Sequence, residues 1–223
     1  MYIKFHYLCA IYLLYNTRVN TTFPFIIILL TMLTACCKTK TEYNSLLPDS
    51  VTLQEGDVVM RRCTSLSSRM VTWTDTDGAF SHTGIVVDSA GIPMIVHAVP
   101  DEPDYAGDPD RVKMDTPARF FSSAHAIAAA VLRHPDAEVA ASAARCAAEK
   151  YRQHVLFDHH FDDADTTELY CTELIVHAYR HAGVELVDSQ RHVVDLPGIY
   201  YRCILPSQLE HSTQLQTIFM FHS

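Results

Sequence analysis

The run Leu169-Tyr170-Cys171-Thr172-Glu173-Leu174-Ile175-Val176-His177-Ala178-Tyr179-Arg180-His181-Ala182-Gly183 constrains the fold more than any other part of the chain. Leu174, Ile175, Ala178, Tyr179 and Ala182 recur at helical spacing, and Gly183 stands where a helix needs a left-handed residue in order to stop. The pattern predicts a buried helix with Cys171 in its first turn. Free N–H groups and the positive dipole end favour thiolate over thiol at such a position, which is one way a cysteine nucleophile is activated. Cysteine is also a common core residue, and Cys146, inside the Ala-rich run from Ala137 to Ala148, has nothing around it that points to chemistry. Cys171 therefore needs a base before it counts as a nucleophile.

Two β-rich runs supply one. Ser81-His82-Thr83-Gly84-Ile85-Val86-Val87 and Gly91-Ile92-Pro93-Met94-Ile95-Val96-His97-Ala98-Val99 flank Asp88-Ser89-Ala90-Gly91, a sequence for a hairpin. An even loop centred between Ser89 and Ala90 sets Val87 opposite Ile92 and His82 opposite His97, so the two histidines become direct cross-strand neighbours. A three-residue loop would place them on opposite faces. Two imidazoles on one face fit a base and the group that orients it, and with Cys171 they give the logic of a triad.

With 223 residues, 48% of them hydrophobic, the chain fills one domain and is short for two. A formal charge of -9 argues against a nucleic-acid surface, which needs clustered Lys and Arg. Phe23 to Leu33 is an apolar run too short to span a bilayer and has the character of a signal-peptide core. It ends in Leu33-Thr34-Ala35-Cys36, which resembles the lipobox of bacterial lipoproteins, where the Cys is lipidated. The expected organisation is a signal peptide over 1–35, a polar tether over 36–52 beginning at lipidated Cys36, and a folded domain over 53–223. Met1 to Asn20 fits a signal peptide poorly, so a translation start near Val19 is an alternative. Export permits disulfides, but the spacing of Cys37, Cys63, Cys146 and Cys203 defines no framework, and a nucleophilic Cys171 must stay unpaired.

Within the domain, Val58 to Arg62 and Arg111 to Met114 are expected as strands, Pro117 to Phe121 as a helical turn, and Ala137 to His154 as a long helix capped by Asp136. Ile127 to Arg133 fits strand or helix. Pro100 to Asp110 is expected as a surface loop and Val184 to Ser223 as β-rich. Asp158, His159, His160, Asp162, Asp163 and Asp165 form a conceivable ligand cluster, but a solvated acidic loop is the plainer expectation; no metal and no cofactor are expected.

Taken in order, Gly56-Asp57-Val58-Val59, Phe80-Ser81-His82-Thr83-Gly84-Ile85-Val86, Val96-His97-Ala98 and Phe157-Asp158-His159-His160-Phe161 leading to Tyr170-Cys171-Thr172-Glu173-Leu174-Ile175 resemble the YiiX/YebB-like cysteine hydrolases. That family is a circularly permuted branch of the NlpC-type, papain-like peptidases and amidases. The similarity runs from Leu53 to Phe221. It implies an α+β fold, a central antiparallel sheet packed by the helix that carries Cys171. It further implies Cys171 as nucleophile, His82 as general base, His97 as orienting group, and Tyr170 and Asp158 as candidates for oxyanion or substrate contact. His82 precedes Cys171, as permutation requires. The chain departs from the family at His97, where Glu is common, and at Phe157, where Tyr is. The implied activity is that of a monomeric, lipid-anchored envelope thiol hydrolase, an amidase or peptidase acting on peptidoglycan stem peptides. Acyl transfer, lipid-ester hydrolysis, or peptide or metal binding without turnover remain as alternatives.

Overall fold

Short β-branched runs bounded by turn residues become strands in the computed structural model, which describes residues 43–161, 166–188, 191–196 and 199–222. The expectations for the signal peptide and for Cys36 lie outside these residues. The strands are β1 (Val58–Arg62), β2 (His82–Ser89), β3 (Ile92–Val99), β4 (Arg111–Asp115), β5 (Ala128–Arg133), β6 (His192–Leu196), β7 (Ile199–Cys203) and β8 (Gln216–Phe221). The helices are α1 (Leu66–Thr74), α2 (Pro117–Phe120), α3 (Ala137–Arg152), α4 (Cys171–His181) and α5 (Pro206–Glu210). Six strands form one sheet in the order β4-β3-β2-β1-β5-β8, antiparallel throughout, and β6 and β7 pair separately. The protein is α+β with a central antiparallel sheet.

Side chains alternate across the sheet, so β1, β2, β3 and β5 each feed two cores. Met60, Ile85, Val96, Ala130 and Leu132 meet the apolar faces of α3 (Ala143, Ala144, Ala147) and α4 (Leu174, Ile175, Ala178). Val59, Val86, Ile95, Ala129 and Val131 meet Phe120 and Phe121 on the other side. Asp136 Oδ1 caps α3, accepting from the N–H groups of Glu138 (2.9 Å) and Val139 (3.2 Å). At the end of α4, Gly183 takes φ +85°, while its N–H reaches Arg180 O and that of Val184 reaches Tyr179 O, closing the helix as the glycine predicts.

The folded region begins before Leu53. Leu46, Leu47 and Val51, expected in a tether, pack on the Phe120 side of the sheet, and Leu46 N–H donates to Phe121 O at 2.8 Å. These apolar residues share that sheet face with the short α2. The segment 128–133 settles as a strand because both β1 and β8 pair with it. Helix α1 has no counterpart among the sequence expectations. Among the described residues no helix is long and apolar enough to cross a membrane, and Cys63, Cys146, Cys171 and Cys203 are free thiols.

Candidate active site

The β2–β3 hairpin turns at Ala90 and Gly91, with φ of 56° and 83°, the geometry of a two-residue turn with both central residues left-handed. This centre is one position beyond the expected one, so Val87 pairs with Met94 and Ser89 with Ile92. His82 and His97 are therefore diagonal rather than direct neighbours. A shift of two residues in pairing preserves the face, and both imidazoles lie on the Phe120 side. His82 Nε2 and His97 Nδ1 are 2.9 Å apart, with ring centroids 5.1 Å apart and nearly perpendicular planes. Phe120 contacts both rings edge-on or tilted, at 5.8 and 5.3 Å between centroids.

Further side chains that the sequence left unassigned complete this cluster. His97 Nε2 is 3.2 Å from Asp115 Oδ2, and Asp115 Oδ1 pairs with Arg119 Nη1 at 3.0 Å. Arg61, directly across from His82 on β1, is wholly buried; it donates to Phe120 O at 3.1 Å and to Glu102, with its guanidinium carbon 4.6 Å above the Phe120 ring. Arg61 left a sequence signal, since it continues the buried alternation from Val59. Asp115 left none, because its position depends on the pairing of β4 across the Pro100–Asp110 loop. That loop lies at the surface as expected and is tied to the sheet by ion pairs: Lys113, almost completely buried, pairs with Asp104 (3.2 Å) and Asp108 (3.5 Å) and donates to Glu102 O.

Cys171 is the first residue of α4, and α4 packs on the opposite face of the sheet from the imidazoles. The sulfur nevertheless reaches the His82 end of β2. The β2–β3 ladder stops at Ile85 and Val96, and the Thr83 N–H, beyond that last rung and next to His82, points toward Cys171 Sγ together with the Thr172 N–H. Among the described residues no hydrogen bond joins Sγ to either imidazole. The residues on either side of Cys171 dock on one backbone unit. Tyr170 Oη accepts from Ile204 N–H at 3.0 Å, and Thr172 Oγ1 donates to Ile204 O at 2.6 Å. The Tyr170 hydroxyl thus holds the helix start. Asp158 Oδ1 accepts the His160 N–H at 2.6 Å and shapes the turn at His159 and His160.

Electrostatics set the resting state. Burial pushes the Cys171 thiol up to about 11, over the opposing pull of the Thr83, Thr172 and Cys171 N–H groups. The expected lowering by the helix end is thus outweighed, because a thiolate here would lose its water. Burial also holds the His82 imidazole well below its ordinary value, with Arg61 and His97 acting in the same direction. His97 is lowered by burial, against the upward pull of Asp115. Burial works to raise the Asp115 carboxyl, but His97, Arg119 and Arg61 outweigh it and hold it below the ordinary carboxylate value. At neutral pH Cys171 is a thiol, His82 and His97 are neutral imidazoles, and Asp115 is an ionised carboxylate.

No family model matches the chain, and no curated protein matches it. Among solved structures, metalloprotein yiiX from Escherichia coli O157:H7 (DUF1105) superposes with a TM-score of 0.62 over 76% of this chain and 98% of that chain, at 19% sequence identity. The fold is YiiX-like. The YiiX-like region thus accounts for nearly the whole of the neighbour's own length. In this chain, no group of three His, Cys, Asp or Glu side chains among the described residues is placed to hold a metal ion, and both ring nitrogens of His97 are already engaged. The depression between α3 and α4, lined by Cys146, Lys150, His177 and His181 among others, lies away from the Cys171 end of α4.

Proposed function

We propose that the chain is a thiol hydrolase of amide bonds, with Cys171 as nucleophile, His82 as general base and His97 as the group that orients it, on a permuted papain-like variant of the YiiX-like fold. The observation that carries this reading is the buried imidazole pair at the end of β2, one residue from the amide that faces the Cys171 sulfur. His82 takes the thiol proton as sulfur attacks the carbonyl carbon. The tetrahedral oxyanion is stabilised by backbone N–H groups at the start of α4, where the helix dipole adds to their effect. His82 then gives the proton to the leaving amine as the C–N bond breaks, leaving a thioester on Cys171. Water, deprotonated by His82, hydrolyses that thioester and returns the thiol.

Peptidoglycan stem peptides are the proposed substrate, and lipidation at Cys36 the proposed attachment to the cell envelope, with the chain acting as a monomer. Both rest on the sequence resemblance and the lipobox. The neighbour yiiX is named a metalloprotein; among the described residues of this chain no group of three His, Cys, Asp or Glu side chains is placed to hold a metal ion, and Asp162, Asp163 and Asp165 of the conceivable ligand cluster lie outside those residues. Incubating the protein and its Cys171→Ala variant with muropeptides tests the proposal. New amine termini with the first and none with the second are expected; equal cleavage by both would discard the mechanism. Release of fatty acid from phospholipids in place of peptide cleavage would assign the acyl-ester alternative.

A further inference from the structure

We propose that Asp115 is a positioning residue of this site, fixing the tautomer of His97 and through it that of His82, so that His82 Nδ1 is the atom that receives the Cys171 proton. The inference rests on the thiol-hydrolase reading and adds to it a residue from a third strand. His82, His97 and Asp115 step diagonally across β2, β3 and β4 on one face of the sheet. Their polar atoms form a continuous chain, 2.9 Å from His82 Nε2 to His97 Nδ1 and 3.2 Å from His97 Nε2 to Asp115 Oδ2.

The direction of that chain follows from what each group can donate. Asp115 is buried and paired through its other oxygen with Arg119, which favours the ionised form; an ionised carboxylate only accepts. His97 Nε2 must then carry a hydrogen, since a bare nitrogen would set a lone pair against the carboxylate oxygen. A neutral imidazole has one N–H and one lone pair, so His97 Nδ1 is the acceptor. The 2.9 Å contact therefore requires a hydrogen on His82 Nε2, which leaves His82 Nδ1 bare. That nitrogen is the only basic ring atom of the pair not committed to the relay.

The relay also handles charge. When the Cys171 proton moves to His82 Nδ1, the Nε2 proton of His82 can pass to His97 Nδ1, leaving His82 neutral and placing the positive charge on His97 against Asp115. Proton count and charge are conserved throughout. Arg61 opposes positive charge on either ring, and Asp115 offsets it at His97. His97, standing where a carboxylate is common, is thus backed by a carboxylate one strand further on.

The test uses 15N-histidine-labelled protein. Imidazole nitrogen shifts at neutral pH should show Nδ1 bare and Nε2 protonated on both His82 and His97. In Asp115→Asn, the side-chain amide can donate to His97 Nε2 and reverse both tautomers. Iodoacetamide labelling of Cys171 should then fall by about 10²–10⁴-fold, while Asp115→Glu restores part of it. Nδ1-protonated His82 in the wild type, or an Asp115→Asn variant with unchanged tautomers and labelling, overturns the proposal. The spectra of the wild type decide the matter even where Asp115→Asn fails to fold. The expected tautomers together with an inert Cys171 would uphold the role of Asp115 in setting the rings and refute the hydrolase reading instead.

Discussion

Gly84 lies so close over His97 that a Cβ built on it would stand 3.2 Å from the His97 Cβ, 2.7 Å from Ile95 Cγ2 and 3.1 Å from Val96 O. The glycine is what lets β3 carry an imidazole against the end of β2. Gly84→Ala should force the strands apart, lowering stability by about 1–3 kcal/mol as overpacking does. Because His97 must move, hydrolysis should fall by more than the lost stability explains, which denaturant unfolding and turnover measured side by side would show.

Tyr170 and Thr172 grip the N–H and C=O of Ile204, with Cys171 between them. Tyr170→Phe leaves a buried N–H without its partner and should cost about 1–3 kcal/mol. If the hydroxyl serves only to hold the helix start, Tyr170→Phe and Thr172→Val should lower kcat to a similar extent and leave KM nearly unchanged. A loss in Tyr170→Phe alone, with Thr172→Val fully active, would restore the phenol as an oxyanion donor.

Arg61 carries a buried positive charge whose carboxylate partner is Glu102. Arg61→Met removes one charge and strands the other, so unfolding free energy should drop by about 3 kcal/mol or more, and Arg61→Met with Glu102→Gln should regain part of it. In the double variant the His82 pKa should rise, since one of the groups that depress it is gone. NMR titration of the His82 ring reports this directly.

The lowered imidazoles and the raised thiol make two pH predictions. His82 and His97 bind protons less readily folded than unfolded, where the ordinary value is 6.5. Their contribution to stability is therefore complete above about pH 6.5 and is lost as pH falls through the window between that value and the lowered folded pKa. The melting temperature should drop from pH 7.5 to pH 5, and His82→Gln should flatten the drop. Alkylation of Cys171, whose thiol is pushed up to about 11, should keep rising beyond pH 9 rather than level off near pH 6 as a preformed thiolate–imidazolium pair would.

Helix α4 was legible because Leu174, Ile175 and Ala178 mark one face and Gly183 marks its end; both are local signals. The shared face of His82 and His97 was also legible, because it depends only on parity. Their register was not: Ala90 adopts φ 56°, a conformation that a non-glycine residue rarely announces, and the turn moved by one position. The role of Asp115 is not legible for a non-local reason, since the loop before β4 is held by Lys113 and Arg111 ion pairs in addition to its own turn bonds. The protonation of Cys171 is not legible in the sequence, because a first-turn position marks the helix dipole but not the degree of burial.

Competitive labelling with iodoacetamide, followed by peptide mapping of Cys63, Cys146, Cys171 and Cys203 in the wild type and in His82→Gln, tests the central claim most directly. A thiol activated by an adjacent base should make Cys171 the fastest of the four in the wild type despite its raised pKa, and that advantage should vanish in His82→Gln. Labelling of Cys171 no faster than that of Cys146, or equally fast with and without the His82 imidazole, would contradict the account.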